Sequence, residues 1–285
     1  MSTQAPESAQ GAPIGPGSIL WENAGRSYNL LAALSGGILQ NMHPEVGAGV
    51  ANHSRVFEDP GERLAASINP ILRTIFGPEP EATGREIRDI HKGIKGHDEQ
   101  GRSYHALKPA TFWWTHATFE DMVAQGINRF SGQPLTREGR EQLNRESVTW
   151  YSRYAVTDRP VPLGLDAFEG EWDRVCEDVL EMTPVAEQLI GMFQGGDIDS
   201  FINAFDIDIP AGKIGRVALE EGVSVLARGG LPETVRERFD IPFSRADELK
   251  LKGLDAAVRT FAPKLSLERF YLPVAVEGMQ RVEQR

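Results

Sequence analysis

Cysteine occurs once in the 285 residues, at Cys176. An intrachain disulfide, a thiolate zinc site and a covalent CxxCH haem attachment are therefore impossible, and a reducing, cytoplasmic setting is expected. Long apolar runs are also missing. No stretch approaches the ~18 residues of a membrane span, and the opening MSTQAPESAQGAPIGPGS has neither the basic nor the apolar part of a signal peptide. Basic charge is in deficit, with 30 Lys and Arg against 41 Asp and Glu and a net charge of -11. Neither nucleic acid nor an anionic membrane surface is an expected partner. Several catalytic signatures are absent as well: HExxH, GxSxG, the P-loop and a strand-borne GxGxxG. The residues three before the six histidines are Gln40, Val50, Arg88, Ile94, Arg102 and Trp113, so the Glu-x-x-His motif of helical di-iron proteins is missing too.

What is present is helical periodicity. Alternating strand patterns are lacking, and segment after segment fits a repeat of 3.6, which makes the expected class all-α. Residues 1–18 are expected to be a disordered tail. No linker composition divides the remainder, so residues 19–285 are expected to form a single helical domain. A first helix is expected over residues 19–37, broken at Gly36-Gly37, and Pro44 marks another start. From Glu45 to Val56, the residues Val46, Gly49, Val50 and His53 share one small-residue face that can approach a flat ligand or another helix closely. The apolar stripe through Leu64, Ile68, Ile71, Leu72 and Ile75 is interrupted by Asn69-Pro70, where a kink or restart is expected. Arg85–Lys95 carries Ile87, Ile90 and Ile94 on one stripe; GHDEQGRS reads as a polar loop. The longest and most apolar helix is expected over Pro109–Phe130, followed by Thr136–Tyr154. Farther on, helices are expected over 168–181, 183–193, 213–227, 232–239, 245–261 and 266–282, with a weaker case over 200–209.

All the histidines lie within the first 116 residues, at His43, His53, His91, His97, His105 and His116. Two fall on apolar helical faces. At about 100° per residue from Ile87, His91 lies between Ile90 and Ile94, with the cations Arg88 and Lys95 at the edge of that sector. An imidazole aimed into an apolar cleft and flanked by cations suits a haem, with a nitrogen for iron and positive charge for the propionates. His116 lies equally inside the face of Phe112, Phe119, Val123 and Ile127. Taken alone, each reads first as a hydrogen-bonded core histidine and second as a ligand. His43 reads as a turn residue, His53 as a helix-end residue, and His97 and His105 as solvated. Arg63 and Ser67 form an i, i+4 pair that can address one point in space, with a surface arginine and a self-bonded serine as the plainer reading. Phe112-Trp113-Trp114 could line a flat pocket, although core packing is the first reading.

The order of short elements adds to this. Leu39-Gln40 and His43-Pro44 are followed by Gly49-Val50 with His53-Ser54, then Asp59-Pro60, Arg63-Leu64 with Ser67, and Phe76-Gly77. Next come Arg88 and His91 with Gly96, Tyr104 and Ala106 with Pro109, and finally Trp114 with His116-Ala117-Thr118. That succession resembles the MpaB and latex-clearing protein oxygenase family, clearly over about residues 18–135 and from Pro160 onward only in general character. The resemblance implies a globin-related helical bundle around a non-covalent b-type haem, used for oxygen-dependent oxidation or cleavage. It assigns iron ligation to His91 and catalytic roles to Arg63 and Ser67. Ala66 stands where latex-clearing proteins carry a lysine able to reach the iron, which implies an open distal position. Arg88, Lys95 and His116 are the further candidates for contact with the haem.

The leading expectation is a haem b oxygenase of dioxygenase or peroxygenase type, acting with dioxygen or peroxide on a small apolar metabolite. A non-catalytic haem or gas-binding protein is the alternative. A helical scaffold without cofactor is the third reading, and the colour of the purified protein separates it from the first two.

Overall fold

The computed structural model describes residues 11–54, 58, 60–157, 159, 161–195 and 213–284. It is an all-α fold. The helices are α1 (Ile19–Asn23), α2 (Asn29–Met42), α3 (Pro44–His53), α4 (Pro60–Phe76), α5 (Pro80–His91), α6 (Pro109–Phe130), α7 (Arg137–Ser152) and α8 (Leu165–Arg174). After α8 comes a π-type turn, Val175–Val179. The later helices are α9 (Pro184–Gly195), α10 (Lys213–Gly229), α11 (Glu233–Arg238), α12 (Arg245–Phe261), α13 (Leu267–Phe270) and α14 (Pro273–Glu283). The helix weakly expected over 200–209 lies outside the described residues. Buried side chains from Leu20 to Ala275 join in one hydrophobic cluster, and α2 lies at its centre, packed on α6, α10, α9 and α3.

Several expectations are corrected. The first segment is two helices, and α2 runs through Gly36-Gly37 without a break. Glycine costs about 1 kcal/mol against alanine in a helix interior, and burial of Ala32, Ala33, Leu34, Ile38, Leu39 and Met42 along the same helix outweighs it. Pro70 lies inside helix α4, which continues through it, so of the kink or restart expected there the restart does not occur. Pro70 has no N–H to give the Ala66 carbonyl, but Ile68, Leu72, Ile75 and Phe76 bury the opposite face and hold the helix together. Helix α5 begins at Pro80, a first-turn position suited to proline, and ends at His91 rather than Lys95. The expected polar loop after it contains a hairpin of β1 (Lys95–His97) with β2 (Ser103–His105), in the register Gly96 opposite Tyr104. Three-residue strands are too short to leave an alternating pattern. The Asp98 side chain closes the turn by accepting the Arg102 and Gln100 amides at 2.7 and 3.0 Å. The expected helix 168–181 passes into the π-type turn, and the last expected helix is split before Pro273, which starts α14.

The N-terminal segment also differs from expectation over its described part. Residues 1–10 lie outside the described residues. Residues 11–18 run against α7: the Ala12 amide donates to the Arg145 carbonyl at 3.0 Å, and Ile14 packs on the core. The Ser18 side chain accepts from the Trp21 amide, and the buried Glu146 carboxylate accepts from the Ile19 and Leu20 amides at 3.1 and 2.6 Å. Those bonds satisfy first-turn donors that have no partner within the helix.

Helix α5 meets the end of α7 at Gly84, where a Cβ would collide with the Arg153 carbonyl and crowd the Tyr154 amide. Gly84→Ala, which would stabilise an ordinary helix, is expected to destabilise this protein by about 1–3 kcal/mol, because the overpacked contact is backbone and cannot rotate away. Urea unfolding measures this, and a variant as stable as the parent or more so would contradict it.

Candidate functional site

Between α3, α4, α5 and α6 lies a cavity of about 300 Å³. Helix α3 contributes Val46, Gly49, Val50 and His53, the small-residue face expected to accept a flat ligand or a close helix. Helix α4 contributes Ala66, Ser67, Pro70 and Ile71; α5 contributes Ile87, Ile90 and His91; α6 contributes Thr111, Phe112, Thr115, His116 and Phe119. His91, Ser67 and His116 are thus brought to one space.

The two histidines differ in what they offer it. His91, the last residue of α5, holds Nδ1 2.7 Å from the Ile87 carbonyl one turn back. A carbonyl only accepts, so Nδ1 carries a proton and donates it to Ile87. The ring stands edge-on to Phe112, with centroids 5.9 Å apart. His116 is instead wrapped by Trp150, Tyr151 and Tyr154 at centroid distances of 4.7, 5.2 and 5.9 Å. Its Nε2 is 2.9 Å from the Ser147 hydroxyl and 3.1 Å from the Ser147 carbonyl, while Nδ1 is fully covered and has no hydrogen-bond partner. Burial pushes its pKa down to about 3, so the ring stays neutral.

The remaining candidates are more scattered. The Ser67 side chain is half-buried and lines the cavity. Arg63 lies in α4 one turn before Ser67, and its side chain lies outside the described residues. Arg88 turns to the Asp89 carboxylate at 2.7 Å and the Ala155 carbonyl at 3.4 Å, and Lys95 is exposed in β1; neither lines the cavity. Ile90, expected on the apolar stripe, is 72% exposed at the rim. The Phe-Trp-Trp run divides its roles: Phe112 faces the cavity, Trp113 packs on Phe168, and Trp114 donates to the Leu39 carbonyl at 3.3 Å. Cys176 is a covered core residue, its thiol pushed up to about 12 mainly by burial.

Two groups on the wall were not among the candidate site residues of the sequence. His53, read as a helix-end residue, is the last residue of α3, its Nε2 3.1 Å from the Tyr104 hydroxyl, which accepts from the Asn52 amide at 3.0 Å. Its place on the small-residue face was the available signal. Glu45 bonds Lys108 at 2.7 Å and accepts from the Thr111 hydroxyl at 3.0 Å, pairings between residues more than sixty apart that no local pattern announces. A second, smaller chamber of about 140 Å³ adjoins the first and shares Gln40, Val50, Ser54, Ser67 and Phe119 with it.

Among the described residues, no three His, Cys, Asp or Glu side chains converge to hold a metal ion. A haem iron needs only one protein histidine, and His91 stands on the wall of this cavity with its Nδ1 bonded to a backbone carbonyl. Among the described residues, no helix is long and apolar enough to cross a membrane.

The family model described as ER-bound oxygenase mpaB/B'/Rubber oxygenase, catalytic domain, matches residues 21–260. The likeness therefore extends well beyond residue 135, where it was expected to fade, and takes in α7 to α12. No curated protein matches the chain significantly, and no solved structure does so either.

The buried histidines set an acid response. His116 is joined by His43, at the start of α3, whose pKa burial lowers to about 4. Both folded values lie below the ordinary 6.5, so the unfolded chain takes up protons that the folded one refuses. This contribution to stability is intact above about pH 7 and is lost as pH falls through 6.5 toward 4 and 3. Asp121, raised to about 6 by burial, works in the opposite sense over part of that window. Between pH 7 and pH 5, His116→Gln is expected to remove about 2 kcal/mol of the acid destabilisation, as measured by denaturant unfolding at both values. Equal losses in parent and variant would contradict a neutral, buried His116.

Proposed function

We propose that this chain, which belongs to the ER-bound oxygenase mpaB and rubber oxygenase catalytic-domain family, is a haem b-dependent oxygenase of dioxygenase or peroxygenase type acting on a small apolar molecule in the reducing cytoplasm. The observation that carries the haem assignment is His91. Its Nδ1 proton is committed to the Ile87 carbonyl, the backbone bond by which metal-bound histidines are oriented, and its ring stands on the cavity wall. When bound, haem b supplies the activation of dioxygen or peroxide, and the chain positions what reacts.

In this reading residues 19–285 form one domain, a globin-related bundle, supported by the continuous core. His91 holds the iron. Ser67 offers a hydroxyl from the facing helix, and Arg63 accompanies it one turn earlier on α4. Ala66, on the cavity wall beside Ser67, leaves space where the family's lysine would stand. A flat apolar group seated against His91 would cover the exposed Ile90. Arg88 and Lys95 flank His91 outside the cavity lining and would serve carboxylates at its mouth. His116 packs on Tyr151 and Tyr154, the rings that in turn hold Phe112. The second chamber, which shares Ser67 and Phe119 with the first, favours an enzyme over a simple gas carrier because it provides room for a further molecule.

Full-length protein produced with a haem precursor is expected to purify with one haem per chain. His91→Ala should lose most of the haem or shift its Soret band, while His116→Gln should keep both. Ser67→Ala should retain haem and slow oxidant consumption about tenfold or more, the scale of one lost hydrogen bond. Haem retained with an unchanged spectrum in His91→Ala, together with haem lost in His116→Gln, would place the iron on α6.

A further inference from the structure

Gly36 and Gly37 sit in the middle of α2, yet among the described residues no close contact requires them. Among the described residues, a methyl group on Gly36 would meet only the Thr118 carbonyl, at 4.0 Å, and one on Gly37 would meet nothing within 4 Å. Gly84 is different, since a neighbouring backbone occupies the space where its side chain would be. Helical glycines stand against propensity, so a pair with open space beside it calls for another reason. Both line the smaller chamber, where Ala33, Gly37 and Gln40 follow one another at helical spacing on the same face of α2. Side chains at 36 and 37 would occupy the chamber itself.

We propose that this chamber of about 140 Å³ is the substrate compartment of the oxygenase, and that Gly36 and Gly37 set the size of the molecule it admits. The assignment rests on reading the larger cavity as the haem site. The substrate class follows from the walls. Among the described residues that line it none is charged; Leu64, Ile68, Met122, Leu189 and Phe193 supply an apolar surface. Gln40 donates to the Thr118 hydroxyl at 2.7 Å and Asn41 Nδ2 to the Gly37 carbonyl at 2.9 Å, while the buried Asn41 Oδ1 has no partner among the described residues and leaves one neutral acceptor on the wall. A charged guest would lose its hydration without compensation, so the compartment selects an uncharged hydrocarbon skeleton. An apolar cavity of about 150 Å³ takes up benzene or xenon, so the chamber suits one ring or a short branched chain. Ser67 and Phe119 border both chambers, which sets such a guest beside the larger cavity. Leu189 and Phe193 bring α9, from the histidine-free half of the chain, into the site.

The test uses the full-length protein with Gly37→Ala and Gly37→Leu, xenon in crystals, benzene in solution and styrene in turnover. In the parent, xenon should occupy the space bounded by Gly37, Phe119 and Leu189. In Gly37→Leu that site should be lost, benzene affinity should fall about tenfold or more, and styrene-dependent oxidant consumption should fall by a similar factor. Haem content should be unchanged and the melting temperature no lower than the parent's, with Gly37→Ala intermediate in binding. Equal xenon occupancy and benzene affinity in all three proteins would overturn the proposal, as would a Gly37→Leu protein that folds, binds no benzene and turns styrene over at the parental rate. Should Gly37→Leu fail to fold, Gly37→Ala decides: weakened benzene binding supports the compartment, and parental binding overturns it. Xenon and benzene report on this chamber whether or not haem is present, so its failure is distinguishable from failure of the haem reading.

Discussion

Helix α2 lies along α6, and Gln40 and Phe119 of this pair line both chambers. Trp114 reaches from α6 to the Leu39 carbonyl, and Gln40 reaches back from α2 to Thr118. On α6, Phe112 and Phe119 bracket the larger cavity two turns apart, and Phe119 is shared with the smaller one. The next layer is fixed from the same helix: His116 bonds Ser147, and Asn144 and Arg140 of α7 bond the buried Glu120. A shift of α2 against α6 would alter both spaces together, which is why the hydrogen bonds between them matter beyond their individual strength of about 1 kcal/mol.

Within that frame, the same side chain does opposite work at two positions. His91 ends its helix, bonds its own backbone one turn back and sits on the wall of an apolar cavity. His116 lies mid-helix among three aromatic rings, with burial holding it neutral. The difference is one of environment, since both lie on apolar helical faces. A ligand needs one nitrogen oriented by a proton acceptor and the other presented to space. The His91 bond to Ile87 meets the first condition, while the covered Nδ1 of His116 fails the second.

Periodicity made most of the helices legible because each buries one face on the shared core; α6, α7, α10 and α12 lie close to where their apolar stripes place them. Local breakers were less reliable. Gly36-Gly37 and Pro70 look like interruptions in a linear reading, but tertiary burial on the opposite faces of α2 and α4 carries both helices through. The hairpin was invisible because three residues per strand are too few to show a period. At the site, the face of Val46, Gly49, Val50 and His53 could be read from spacing, and His91 from its stripe. The choice between His91 and His116 could not, since it depends on Ser147 and Tyr151, thirty or more residues away in the chain. The departure of Arg88 toward Asp89 and Ala155 was hidden for the same reason.

The central claim is that the larger cavity holds haem through His91. Its most direct test is iron-edge anomalous diffraction from crystals of the full-length protein purified with its cofactor. The account predicts a single iron peak per chain within coordination distance of His91 Nε2, with the His91 Nδ1 bond to Ile87 intact. An iron coordinated by His53 or His116 would contradict it, as would a cavity filled by a metal-free ligand in protein that had been supplied with haem.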